Sequence, residues 1–211
     1  MTEPIAAQGS PEWLIERLGH ATASEFSAVC AKGKTPGSEA VTRRAYRIRL
    51  ASERLTGKPN DSYFANNHMQ RGQRQEPFAR MAYETRTGLL AVEVPFRRHP
   101  TLAYCGASPD GEVETDGTVE VKAVLPHIQI ETILGGKCPA EHAKQVQGGL
   151  WVTGRQWCDF ISYSPDLPGS LSLCVYRVAR DEEIIAKIEA EVRLFLEEVD
   201  ALCARLLRLA A

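Results

Sequence analysis

Residues 106–124, GASPDGEVETDGTVEVKAV, set Asp110 ten residues ahead of the triplet Glu120-Val121-Lys122, with Asp116-Gly117 between them. Asp-Gly flanked by alternating residues is a strong hairpin signal, because glycine takes the positive φ of a tight turn. In the strand that follows, Val119, Val121 and Ala123 fall on one face and Glu120 and Lys122 on the other. A two-residue turn at Asp116-Gly117 pairs Glu120 with Val113 and Asp110 with Ala123, which points Asp110 away from Glu120. Convergence of the two acids therefore requires that Pro109 and Gly111 bend or bulge the strand, or that the loop is longer. A half-buried strand with an ordinary solvated face is the alternative reading of the same pattern.

Upstream, 1–10 reads as a loose start and 11–18 as a short helix with Pro11 in its first turn and Gly19 at its end. Thr22-Ala-Ser-Glu25 has capping-box spacing for a second helix. Residues 38–55 read as a basic helix with Val41, Ala45, Ile48 and Leu55 at near-helical spacing. Residues 70–87 read as another, stopped at Gly88, with Phe78, Met81 and Ala82 inward and Pro77 in its first turn or at a kink. The period then changes to alternation, and 89–98, 102–108 and 118–124 read as an antiparallel meander. A helix over 139–153, strands over 156–163 and 171–178 and a helix over 181–209 follow. In the last helix Ile188, Val192, Phe195, Val199, Leu202, Leu206 and Leu209 form a narrow stripe, read as packing on its own domain. The fold class is α/β (α+β): a central mixed sheet with an antiparallel meander, flanked by helices, in a single domain over 1–211.

Six cysteines without a Cys-x-x-Cys pair read as reduced thiols in a cytoplasmic protein. Cys138 and His142 lack the second pair that structural zinc needs. No run approaches the roughly 20 apolar residues of a membrane span. The net charge of −2 argues against a generic nucleic-acid coat, but 32–98 carries fourteen Lys or Arg against six acids, a local +8. Such asymmetry suggests an anionic partner met by one face, or else an ordinary solvated helix face.

The order helix, strands, helix places Asp110 at the start or bend of the second core strand and Glu120 and Lys122 in the third, with Glu76 on the helix before and Gln145 on the helix after. Converging carboxylates form a hard-oxygen site suited to Mg²⁺, with Mn²⁺ as a substitute, which binds through few protein ligands plus phosphate oxygens. A metal there supplies hydroxide at neutral pH and stabilises charge on a phosphoryl centre. Lys122, on the face of Glu120, can hold water or offset negative charge. One lysine among acids fits phosphodiester hydrolysis.

Ser108-Pro-Asp-Gly111 followed by Glu120-Val-Lys122 resembles the PD-(D/E)xK signature of the restriction-endonuclease-like nucleases. Trp13…Arg17-Leu-Gly19…Thr22-Ala-Ser24, Gly72…Glu76 and Gln145-Val-Gln147…Trp151-Val-Thr153 resemble, in order from about 8 to 200, the lambda-exonuclease or phage-type alkaline exonuclease branch. The resemblance implies a Mg²⁺-dependent exonuclease that digests one strand of linear duplex DNA from a 5′ end and leaves a 3′ overhang for a single-strand annealing protein. It implies Asp110, Glu120 and the Val121 carbonyl as metal ligands, Glu76 as a further acid, and Lys122 and Gln145 around the attacking water. It assigns Arg17, Ser24 and Ser108 to the 5′-phosphate, Lys34 to DNA contact and Met69 to a wedge at the strand fork. A homotrimer around DNA is implied too, with the +8 segment lining its channel. Pro77 after Glu76, the short lysine-poor loop after Ser24, and Gly148-Gly149 depart from the pattern. A structure- or site-specific endonuclease on the same core, and a non-catalytic DNA-binding oligomer, are the alternatives.

Overall fold

The computed structural model of the chain describes residues 6, 8–35, 37–60 and 67–210 and, in its fourth helix, the side chains of 71, 72 and 74 onward. Its elements run α1 (Pro11–Glu16), β1 (Ala21–Thr22), a 3₁₀ turn (Ala23–Glu25), α2 (Phe26–Val29), α3 (Val41–Thr56), α4 (Asn67–Thr87), β2 (Arg97–Arg98), β3 (Cys105–Ala107), β4 (Gly111–Val113), β5 (Gly117–Ala123), α5 (Pro126–Gly135), α6 (Ala143–Thr153), β6 (Trp157–Tyr163), β7 (Leu173–Ala179) and α7 (Glu182–Leu209). The expected mixed sheet flanked by helices is present, in two parts: β4-β5-β6-β7, with β5 parallel to β6 and the outer pairs antiparallel, and the smaller β1-β3-β2. β3 and β4 are two halves of one path, broken at Ser108-Pro109-Asp110.

The expected meander needs correction. β2 does pair antiparallel with β3, but the strand carrying Glu120 pairs with β4 and with β6. Residues 89–96 contribute only an isolated bridge from Val92 to Glu112. The turn is also different: Gly111 faces Val119 and Val113 faces Gly117, so the loop is the three residues Glu114, Thr115 and Asp116. Glu114 takes the positive φ, 50°, and Gly117 lies in the strand. Gly117 is needed for closeness, since a Cβ there would sit 2.2 Å from the Trp157 ring. The Arg155 guanidinium seals the turn by donating to the carbonyls of Val113 (3.4 Å), Glu114 (3.2 Å) and Gly117 (2.9 Å).

The sheet is covered on both faces. Ala79 and Tyr83 of α4 pack on Val119, Val121 and Ile161, and Val146 and Leu150 of α6 pack on Cys158 and Phe160. The largest core lies to one side, where α2, α3 and α7 meet Trp151 of α6 and Cys105 of β3. Gly148 lets α6 approach there, because a Cβ would meet the Phe26 ring at 2.3 Å.

Two helices turn inward faces other than those read from their apolar spacing. Val41, Ile48 and Leu55 of α3 are 84, 49 and 39% exposed, and its buried side carries Arg43, Tyr46, Leu50 and Glu53. In α4, Phe78 and Met81 are exposed and Ala79 and Tyr83 are buried, with the helix running through Pro77. Ile188, Val192, Phe195 and Val199 of α7 do pack on their own domain, while Leu206 and Leu209 stand exposed. No helix of the described residues is long and apolar enough to cross a membrane.

Candidate active site

The three-residue loop settles where the acids point. Continuing the hairpin register by one residue brings Asp110 across from Glu120, and the Asp110 N–H donates to the Val119 carbonyl at 3.2 Å. Asp110 Oδ2 accepts the Val121 N–H at 2.7 Å, and Oδ1 accepts Gln8 Nε2 at 3.2 Å. Gln8 also reaches the Pro109 carbonyl at 3.4 Å, so the expected loose start is tied to the acid at this residue.

Glu120, 7% exposed, receives two donors on Oε1: Lys122 Nζ at 2.6 Å and Gln145 Nε2 at 2.5 Å. Lys122 Nζ also donates to Gln145 Oε1 at 3.3 Å. Lys122 comes from β5 and Gln145 from the first turn of α6, so the parallel β5–β6 crossover supplies the third member of this ring. Glu76 of α4 is held by Arg80 Nη2 at 2.9 Å, and Arg80 in turn grips Glu93 at 2.6 Å.

Burial dominates the charge balance. It raises the Asp110 carboxyl against the opposing pull of Lys122, the Val121 N–H and Gln8. It pushes Glu120 up to about 7, with Lys122 opposing and Asp110 reinforcing, and Glu76 up to about 7, reinforced by Asp110. Burial lowers Lys122, but Glu120 and Asp110 outweigh it and hold the ammonium above its usual range. The cluster is short of positive charge, as expected of buried carboxylates gathered at one point.

A recess opens beside this cluster. The Arg17 guanidinium lies over the Trp13 ring, 3.9 Å from its centroid. It donates to Ser108 Oγ (3.4 Å), Thr22 Oγ1 (3.1 Å) and Ser24 Oγ (3.3 Å). Trp13 Nε1 donates to the same Ser108 hydroxyl at 3.1 Å. A cleft of about 690 Å³ joins this recess to the acids, lined by Arg17, Ser24, Ser108, Asp110, Glu120, Lys122, Gln145 and Glu76 among others.

Of the residues expected at the site, these eight and Val121 come together, whereas Lys34 is exposed and does not line the cleft. The Met69 side chain lies outside the described residues. Gln8, Arg80 and Thr22 were missed as site residues. Thr22 left a trace in the Thr-Ala-Ser motif, and Arg80 in its spacing of four from Glu76. Part of the +8 segment is paired inside the molecule: Arg43 and Arg47 bind Glu198 and Glu39, Arg49 binds Glu25, Arg54 binds Asp200 and Arg97 binds Glu112, while Lys34, Arg44 and Lys58 are exposed. Arg43 and Arg47 are thus engaged within the molecule, whereas Arg44 of the same helix faces outward.

The helix-flanked mixed sheet that brings the acid–acid–lysine cluster to a bent hairpin is the fold of an alkaline exonuclease, and the likeness supports a nuclease. The crystal structure of the alkaline exonuclease LHK-Exo from Laribacter hongkongensis superposes with a TM-score of 0.87 at 42% identity, covering 95% of this chain and 98% of that one. The same protein in complex with dAMP gives 0.88 at the same identity and coverage. A phage-related exonuclease from Haemophilus somnus 129PT shares the fold, with a TM-score of 0.69 at 15% identity over 89% of this chain and 96% of that one. No curated protein matches. The YqaJ-like viral recombinase domain matches residues 12–156, and the chain belongs to that family.

Proposed function

We propose that this nuclease is a Mg²⁺-dependent exonuclease, formed by a single domain, that digests one strand of linear duplex DNA from its 5′ end. It releases mononucleotides and leaves a 3′ single strand for an annealing protein. The observation that carries this reading is the one cleft that joins a guanidinium–hydroxyl recess to the acid–lysine cluster. A guanidinium with convergent hydroxyls is suited to a terminal phosphate dianion. The dAMP bound by the 42% identical LHK-Exo is a mononucleotide, the product class expected here.

The donor set fits Mg²⁺. Among the described residues no three His, Cys, Asp or Glu side chains converge into a metal cage. Asp110, Glu120 and the Val121 carbonyl are hard oxygens, few in number, and burial holds both carboxyls above their usual range despite the neighbouring Lys122. That combination suits an ion that keeps waters and completes its shell with phosphate oxygens, as Mg²⁺ and Mn²⁺ do. When bound, the ion supplies a more acidic water and neutralises charge on the phosphoryl group.

The chain's own groups do the rest. Arg17, Ser24 and Ser108 hold the terminal phosphate, so the next phosphodiester is presented to Asp110 and Glu120 rather than found by diffusion. Gln145 and Lys122 flank the position of an attacking water, and the Lys122 ammonium offsets charge that develops on the phosphoryl oxygens. The water oxygen bonds to phosphorus, the P–O3′ bond breaks, and the 3′ oxygen leaves and takes up a proton. The shortened strand then carries a new 5′-phosphate, the ligand of the recess.

By resemblance to the lambda-exonuclease branch we also infer a homotrimer. A cytoplasmic setting agrees with six free thiols. The test is a linear duplex labelled at one 5′ and one 3′ end, incubated with and without Mg²⁺ beside covalently closed plasmid. Loss of the 5′ label first, only with Mg²⁺, and intact plasmid are expected. Early loss of the 3′ label or nicking of the plasmid would overturn the polarity or the exonuclease assignment.

A further inference from the structure

One face of α3 grips the whole segment that carries Arg17, Thr22 and Ser24. Tyr46 Oη accepts the Thr22 N–H at 3.0 Å and donates to the His20 carbonyl at 3.2 Å. Seven residues on, Glu53 accepts the Gly19 N–H at 2.9 Å, and Arg54 Nε donates to the Gly19 carbonyl at 3.0 Å, so both sides of one residue are held. Arg49, between them, pairs with Glu25 at 2.7 Å. Residues at 46, 49, 53 and 54 share one side of a helix.

The segment is shaped for this grip. Gly19 has φ +69°, and a Cβ there would come within 2.7 Å of Arg54 Cγ. Thr22 is 3% and Tyr46 4% exposed, so these polar bonds are made in the interior. The Tyr46 ring is itself fixed by stacking on Phe195 of α7, centroids 5.3 Å apart. Arg54 also anchors to Asp200 of that helix. The chain of support runs from α7 through α3 to the Thr22 and Ser24 hydroxyls that Arg17 touches.

We propose that Tyr46, with Glu53, is a positioning residue for recognition of the DNA end: it sets the 5′-phosphate recess without touching DNA. This rests on the reading of that recess as a 5′-phosphate site. Without the Tyr46 hydroxyl the buried Thr22 N–H and His20 carbonyl lose their partner, and the Thr22 and Ser24 hydroxyls drift relative to Ser108. The acid cluster receives none of its hydrogen bonds from α3, so chemistry on an end bound without the recess is untouched.

The experiment measures initial rates on 5′-phosphorylated and 5′-hydroxyl linear duplex for the parent, Arg17→Ala, Tyr46→Phe, Glu53→Ala and Glu53→Gln. Tyr46→Phe keeps the ring and its stacking, and Glu53→Gln keeps an acceptor for the Gly19 N–H, so both variants remain foldable. The expected result is a fall of about tenfold in the phosphate-to-hydroxyl rate ratio for Tyr46→Phe and Glu53→Ala, toward the Arg17→Ala floor. The 5′-hydroxyl rate stays at the parent's value, and Glu53→Gln restores most of the ratio. A parent preference that Tyr46→Phe keeps in full, or a loss that lowers both substrates alike, overturns the positioning role. No preference in the parent overturns the recess reading on which it stands.

Discussion

Asp110 and Glu120 each carry out a task that no neighbour duplicates, because the site has few hard-oxygen donors. Asp110→Ala and Glu120→Ala should each lower Mg²⁺-supported digestion by at least about a thousandfold, the scale of losing a catalytic electrostatic partner, with the fold and duplex binding retained. Parent-like rates in either variant would show that the cluster is misassigned. Burial pushes Glu120 and Glu76 up to about 7, and the sign of the consequence follows from proton linkage. Between their ordinary carboxyl range and about 7, the folded metal-free protein binds protons that the unfolded chain has released, so its stability falls as pH rises through that window. Mg²⁺ needs the ionised carboxylates. The rise in melting temperature caused by Mg²⁺ should therefore grow from pH 5.5 to about 7.5 and then level off, as differential scanning fluorimetry would record. A shift that shrinks over that range would contradict the proposed ligand set.

At the scale of elements, the β4–β5 hairpin sets the geometry, and it is held from a distance. Asp116-Gly117 signalled a turn correctly, but the loop length was decided by Arg155 and Trp157, some forty residues on, and no local pattern carries that information. Gly117→Ala should destabilise the protein by about 2 kcal/mol, as overpacking against a fixed ring does, read as a lower urea midpoint. An unchanged midpoint would mean that Trp157 yields freely. That the acids and the lysine share one cleft was legible because chemistry restricts which residue types gather there, and the glutamine was placed by the resemblance of its motif. The inward faces of α3 and α4 were not, because periodicity equates apolar with inward. In α3 two inward positions, Arg43 and Glu53, are charged residues made tolerable by Glu198 and the Gly19 backbone, and those partnerships exist only after folding. Helix α5 was not anticipated at all. Its most buried side chain is the polar Gln129, bonded to Ser162, and its isoleucines at 128 and 130 are exposed.

Across the whole molecule, part of the charge asymmetry along the sequence is answered internally, by ion pairs from α3 to α7. Arg43 is 8% exposed and bidentate to Glu198 at 2.5 and 3.0 Å. Arg43→Ala should cost about 2 kcal/mol, the scale of lost charge-assisted hydrogen bonds, because Glu198 is part exposed and keeps Arg47, while the salt dependence of duplex binding stays at the parent's slope. A flattened slope with unchanged stability would return Arg43 to the DNA surface. Ser108 and Asp110 stand two residues apart on one stretch, with the buried Pro109 between them, Gln8 on its carbonyl and Val119 on the Asp110 amide. Two residues reach at most about 7 Å. On the proposed reading, that stretch is a caliper whose jaws are the phosphate grip and the cutting acid, and its opening cannot be adjusted by loop motion. The stride along DNA would then be written in covalent bonds, one nucleotide at every bite, whatever the base.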